Sequence, residues 1–273
     1  RLGERSKAEA LLNTFLRLGG SAEDKAELSL RVARLHAQAA DWDAAVALLQ
    51  KANLAGVSTP ELLYLLGYAF YRKGQLADAQ GYLGQAVNAG KAGSADDREA
   101  AAAAQFYLGE IVYKTFESIQ LSADLAQLVP TLQQKIAYMT QTRAAYRAAV
   151  GLGSAVWSVA ALGRLSAVDA TAAKALRGLA LPEGLPPEAV QQVKGALETN
   201  AAPLETEAKE ALKQCTSTAR KLRVLSEAAK ACLANDRQDQ ALAVLKDVIQ
   251  NNPDSTAVHG RVAIVMKQYG GDD

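Results

Sequence analysis

The sequence predicts an all-α protein, an array of antiparallel helix pairs, and three observations carry that prediction. Of its 273 residues 49% are hydrophobic, and much of that fraction is alanine rather than branched or aromatic side chains. Alanine is the best intrinsic helix former, and its small side chain lets helix backbones approach closely. The stretch 100–104 and the set Ala144, Ala145, Ala148 and Ala149 suit helix interfaces and would make poor strands. Only seven prolines occur, nearly all where helices should begin or bend. Finally, one pattern of small and large residues recurs at a 34-residue spacing. A repeat of that length buries its apolar face only by stacking on its neighbours.

The best-defined unit opens at Pro60 and places Leu66, Gly67, Phe70, Gly74, Ala79, Leu83 and Ala86 in order. Gly67 and Ala79 are small enough for two paired helices to touch, and Leu66, Phe70 and Leu83 fill the space around that contact. Thr59 is placed to cap the first helix, with Pro60 in its first turn. Counting back 34 residues, Ala26 opens an equivalent unit containing Val32, Ala33, His36, Trp42, Ala45, Leu49 and Ala52. Counting forward, Leu108 and Gly109 imply a start near Ala102, after a loop over 90–97. Trp157 with Ala160 and Ala161 implies one at Ser154. Leu225, Ala228, Ala229, Ala241, Leu245, Val248 and Pro253 define a unit from Leu222. From Thr256, the residues Val262, Ala263 and Met266 make a last, unpaired helix.

This pattern resembles the tetratricopeptide repeat (TPR), and the resemblance covers most of the chain. It implies a right-handed superhelix of antiparallel helix pairs. Residues 1–273 then form a single TPR-like array with starts near 26, 60, 102, 154, 222 and 256. The intervals of 42, 52 and 68 residues in the middle call for lengthened helices and an insert at about 179–203, with a helix between about 187 and 200. The opening stretch, Glu4 to Leu18, reads as a second helix whose partner is missing.

Composition points away from several function classes. Thirty basic residues against 29 acidic ones give a net charge of +1 with no block of either sign, so the basic stripe of a nucleic-acid binder is missing. No apolar run approaches the roughly 18–20 residues that span a bilayer. The chain begins at Arg1 without an initiator Met, which suggests a mature form or an excised fragment. His36 and His259 are isolated from each other and from any ligand or triad spacing, and His36 fits a packed core position. The stretch from Gly151 to Val156 mimics part of a dinucleotide fingerprint. It lacks the last glycine and follows a helix rather than a strand. Scattered Asp and Glu suit i,i+4 pairing on solvent faces. The expectation is a chain that is not an enzyme, with no cofactor, no metal and no small-molecule substrate.

Two cysteines are too few for a four-cysteine zinc site. Cys215 falls near the end of a helix expected from Pro203 to Ala219, and Cys232 in the next, from Leu222 to Ala234. A short turn would make those helices antiparallel and bring the two cysteines within about one helical turn of the same height. Either they form a disulfide, or both are small buried hydrophobes.

In TPR arrays the first helix of each pair lines a concave groove. Carried onto this sequence, the groove positions are Glu61, Tyr64, Tyr68, Tyr71 and Arg72, then Ala103, Phe106, Glu110, Tyr113 and Lys114. A chain with only 5% aromatics places five of them here, and tyrosine and arginine are residue types that anchor interfaces. Either these side chains form an open partner-binding wall, or long inserted helices fold over and bury them. Tyr64 and Tyr68 stand where a carboxylate-clamp co-chaperone needs Lys and Asn, which argues against that class.

A narrower resemblance lies in the centre. Lys135, Tyr146, Gly151 to Trp157, Ala160 and Ala161 precede Pro182, Gly184, Leu185 and Glu188. Ala202, Pro203, Leu204, Glu205 and Ala208 follow. This ordered set resembles TPR proteins of the envelope-spanning gliding-motility machinery of myxobacteria and their relatives. It departs at Leu212 and Cys215, where such proteins often carry an aromatic. The resemblance implies a non-enzymatic protein–protein interaction scaffold in the periplasm, with other envelope-complex subunits as partners. The alternatives are a cytosolic TPR peptide receptor or co-chaperone-like adaptor, and an accessory module of a longer enzyme.

Overall fold

The helix that opens at Pro60 begins and is capped where the sequence places its start. In the computed structural model, Thr59 Oγ1 accepts the amide proton of Leu62 at 3.2 Å and Pro60 occupies the first turn of a helix, Pro60–Arg72. The structure describes residues 7, 10–12, 14, 15, 21–54, 56–121, 125–181 and 186–234, with backbone alone at 22, 23, 26, 125, 126 and 221–234. Among the described residues there is no strand. The helices are α1 (Ala22–Gln38), α2 (Trp42–Leu54), α3 (Pro60–Arg72) and α4 (Leu76–Gly90), then α5 (Ala95–Ser118), α6 (Leu125–Gly151), α7 (Ala155–Arg177) and α8 (Pro187–Ala234). Consecutive helices pack on one another through α1 to α4, and again from α6 through α8. Links of three residues at 39–41, 73–75 and 152–154 reverse the chain.

Packing divides the chain into two units, Arg1–Leu108 and Gly109–Asp273, with the division inside α5. In the first unit, Leu62, Leu63, Leu66 and Phe70 of α3 are buried, as are Ala79, Leu83 and Ala86 of α4. Burying a leucine side chain stabilises by about 1.5–3 kcal/mol, so this seam dominates the local energetics. A Cβ on Gly67 would lie 2.7 Å from Leu83 Cγ and 2.9 Å from its backbone nitrogen. The close approach at Gly67 is thus to Leu83, side chain and backbone, where the sequence reading paired Gly67 with Ala79 and put Leu83 around that contact. His36 is buried at the end of α1, its Nδ1 3.0 Å from Asp41 Oδ2. Asp41 Oδ1 in turn accepts the amide proton of Ala44 in the first turn of α2.

The second unit rests on longer helices. Ser154 Oγ caps α7 by accepting from the Trp157 amide at 3.2 Å, at the start its sequence predicts. Gly109 of α5 faces the ring of Tyr146 on α6, which a Cβ would meet at 2.7 Å. Lys135 Nζ donates to the carbonyls of Phe116 and Ile119, at 3.1 and 2.7 Å, tying α6 to the end of α5.

Several boundaries differ from the sequence reading. Helix α5 begins at Ala95, seven residues before the expected 102, because Ser94 and Asp97 form a reciprocal cap. Helix α1 begins at Ala22 rather than 26, where Ser21 Oγ accepts from the Asp24 amide. Pro130 and Pro203 lie inside α6 and α8 rather than ending helices. At Pro203 the lost backbone bond costs about 3 kcal/mol. Ala201, Leu204 and Ala208, all buried around it, hold the helix in register.

The inserted helix expected over 187–200 therefore does not stop there. It runs unbroken through 222, so the expected repeat start and antiparallel turn at that point are absent. Cys215 and Cys232 stand 17 residues apart on one helix, which at 1.5 Å per residue is about 25 Å. That separation rules out a bridge between them within this helix. The start at 256 lies outside the described residues. Of the expected opening helix over 4–18, the described residues are helical and Leu12 is buried.

Candidate functional site

The expected groove residues fall into two groups, one in each unit. In the first unit, α3 presents Tyr64, Tyr68 and Tyr71 along one face because their spacing of four and three matches the helical turn. All three are half-buried, and Arg72 beside them is exposed. Tyr64 and Tyr68 stack with centroids 6.1 Å apart, and Tyr68 meets Trp42 edge-to-face at 5.7 Å. Arg72 Nη1 donates to Tyr68 Oη at 2.8 Å while its guanidinium lies 4.6 Å above the Trp42 ring. That hydrogen bond is the main cause holding the Arg72 guanidinium above its ordinary pKa. Burial, followed by the neighbouring Tyr107, Tyr68 and Glu99, pushes the Tyr64 phenol well above the usual tyrosine range.

The hub of this cluster is Tyr107, which the sequence reading did not single out. Its ring lies 4.7 Å from Tyr68, 5.3 Å from Tyr71, 5.4 Å from Phe106 and 6.3 Å from Tyr64. Starting α5 at 102 made Tyr107 the sixth residue of its helix, outside the expected groove positions. The available signal was the tyrosine stripe on α3, whose rings pack against this residue of α5. Phe106, which the sequence did mark, is buried at the margin of the cluster. Edge-to-face and offset ring pairs are worth about 0.5–1.5 kcal/mol each beyond area burial, so the wall is preformed rather than assembled by a ligand.

The second group departs from the expectation of an exposed wall. Glu110 and Tyr113 are buried, leaving Lys114 as the exposed member. Glu110 Oε1 accepts from Tyr146 Oη at 2.7 Å and Oε2 accepts from Arg164 Nη2 at 2.6 Å. Helices α5, α6 and α7 are thus joined at one carboxylate. Arg164 also lies 5.2 Å over the Tyr113 ring, and Tyr113 Oη donates to Glu117 at 3.1 Å. Burial first, then the bond to Glu110, pushes the Tyr146 phenol far above its ordinary value. The physical reason for the departure is that Tyr146 of α6 and Arg164 of α7 pack against this part of α5. Glu110 and Tyr113 are structural, and burial withdraws them from the set of partner-binding residues.

A second polar tie joins α6, α7 and α8. Arg143 Nε lies 3.0 Å from the buried carboxylate of Asp169, and its Nη2 pairs with Glu207. Burial raises the Asp169 pKa, and the charges of Arg143 and Arg147 oppose that rise. Cys215 Sγ lies 3.4 Å from the Val159 carbonyl, beside Gly163 of α7. Among the described residues, no group of three or more His, Cys, Asp or Glu is placed to hold a metal ion. No helix among them is long and apolar enough to cross a membrane. Compared with protein-family models and with curated proteins, the chain has no match.

Proposed function

We propose that this chain is a non-enzymatic protein–protein interaction scaffold, and that its first unit captures a partner on the wall formed by Trp42, Tyr68, Tyr71 and Arg72. The observation that carries this reading is a half-buried aromatic surface with an exposed guanidinium fixed upon it. Rings already packed against each other lose little freedom when a partner lands, so more of the contact energy appears as affinity. Tyrosine, tryptophan and arginine are also the types that dominate binding hot spots. In the second unit, the ion pairs of Glu110 with Arg164 and of Arg143 with Asp169 and Glu207 join one helix to another.

The TPR-like superhelix and the periplasmic, gliding-motility-like setting are the finer parts of the proposal. The 34-residue pattern supports the first, and the central sequence resemblance supports the second. The test uses the intact protein in its native host, with a photo-crosslinking residue in place of Tyr71. Crosslinks to envelope-complex subunits are expected. The Tyr68→Ala/Arg72→Ala variant should then bind the purified crosslinked partner about 30-fold more weakly, the size of a hot-spot loss, with unchanged helix content. Unchanged affinity would remove the wall from the binding site. Crosslinks to cytosolic proteins alone would overturn the periplasmic setting and favour the adaptor reading.

A further inference from the structure

A different surface, in the second unit, goes beyond this reading. An open trough of about 580 Å³ is lined by residues of α6 and α8, together with Leu176 of α7. Leu132, Ile136 and Met139 face it from α6, and Val193 and Leu197 from α8. Their spacings of four, three and four residues place each set on one helical face. Ile136 and Val193 are 47% and 36% exposed, and Val129, one turn before Leu132, is 55% exposed. Two helices with apolar stripes turned toward one trough are half of a four-helix layer.

We propose that this trough is the self-association face of the chain, closed by the same trough of a second copy. Charge argues for a copy over a partner selected by charge. At the trough, Arg143 is matched by Asp169 and Glu207, and Arg177 at α7's end by Glu198 and Glu205 at 2.8 Å each. A trough whose lining charges, Arg143 and Glu207, are paired internally offers little to an oppositely charged partner, yet it meets its own copy without like-charge repulsion. A two-fold contact requires such self-complementarity.

Area argues the same way and sets the strength. At 1.5 Å per residue and a diameter of about 10 Å, α6 over 129–143 and α8 over 190–207 present a footprint of roughly 25 by 20 Å. Two copies thus bury on the order of 1,000 Å², the lower bound of a specific interface. The dimer is therefore weak and depends on concentration.

Sedimentation of the full chain under reducing conditions, from micromolar to hundreds of micromolar, tests this directly. The average mass should rise from one chain toward two. Ile136→Glu/Val193→Glu should remain at one chain with unchanged helix content. Leu54→Glu, which changes an exposed leucine of the first unit, should associate like the wild type. Should the double variant lose helix content, Ile136→Gln is read instead, with the dissociation constant expected to rise at least about tenfold. A wild type that stays at one chain throughout overturns the proposal, even if the trough then takes up an amphipathic peptide. So does association that survives the trough substitutions or disappears with Leu54→Glu.

Discussion

A carboxylate with only 6% of its surface exposed, as Glu110 has, must be paired and hydrogen-bonded to remain in a protein interior. Tyr146 and Arg164 supply those partners from two other helices. Removing one of them leaves polar capacity buried and unmet, which costs about 1–3 kcal/mol. Tyr146→Phe should accordingly lower the second unit's stability by about that amount while keeping its helix content, because the ring still fills its place against Gly109. Tyr113→Phe loses only a bond to the exposed Glu117, and the loss should stay below about 1 kcal/mol. Urea unfolding followed by circular dichroism compares the two. Equal midpoints would mean that the Glu110 cluster does not stabilise the fold. Glu110 itself was visible in the sequence as a polar residue on a helix face. Its burial was not, because the covering side chains come from residues 36 and 54 positions away.

Between elements, the α3–α4 pair is the contact whose physics is most local. Gly67 and Leu83 are separated by one short turn, so the small-to-large match can be recognised within a single repeat. Gly67→Leu must displace Leu83 or separate the helices, and overpacking of this kind costs about 1–3 kcal/mol or more. Gly81, where an added methyl group would meet nothing within 4 Å, provides the control. Gly81→Ala should be neutral or stabilise by up to about 1 kcal/mol, since alanine lowers the entropy lost on forming the helix. A thermal midpoint unmoved by Gly67→Leu would show that the two helices do not touch there. Caps were equally legible: Thr59 and Ser154 act within three residues of themselves. The start of α5 was not, because the Ser94–Asp97 cap competed with the repeat register and prevailed.

For the molecule as a whole, the continuity of α8 has the largest consequence. A helix of 48 residues replaces what the sequence presented as an inserted helix, a repeat helix and the start of another pair. Cys215 and Cys232 are then held about 25 Å apart along one axis, far beyond the roughly 7 Å limit for a bridge. Alkylation of the unfolded, unreduced protein followed by intact-mass measurement should find two modified thiols. A mass showing none, in protein of single-chain size, would require the helix to break and fold back between them.

What the sequence determined by itself follows from its short-range physics. Alanine content, the 34-residue spacing, the caps and the Gly67–Leu83 seam all depend on residues within one or two turns or one helix pair. The tyrosine stripe on α3 belongs to the same class, since helical periodicity alone brings its rings to one face. Only the tertiary structure decided which stripe remained accessible. Tyr107 joined the first cluster through packing between helices, and Glu110 and Tyr113 were covered by α6 and α7. Pro203 passed through α8 because burial on both sides outweighed a local helix breaker. Each of these outcomes sums contacts between distant segments, and a local propensity of a few kcal/mol is smaller than the burial that overrides it.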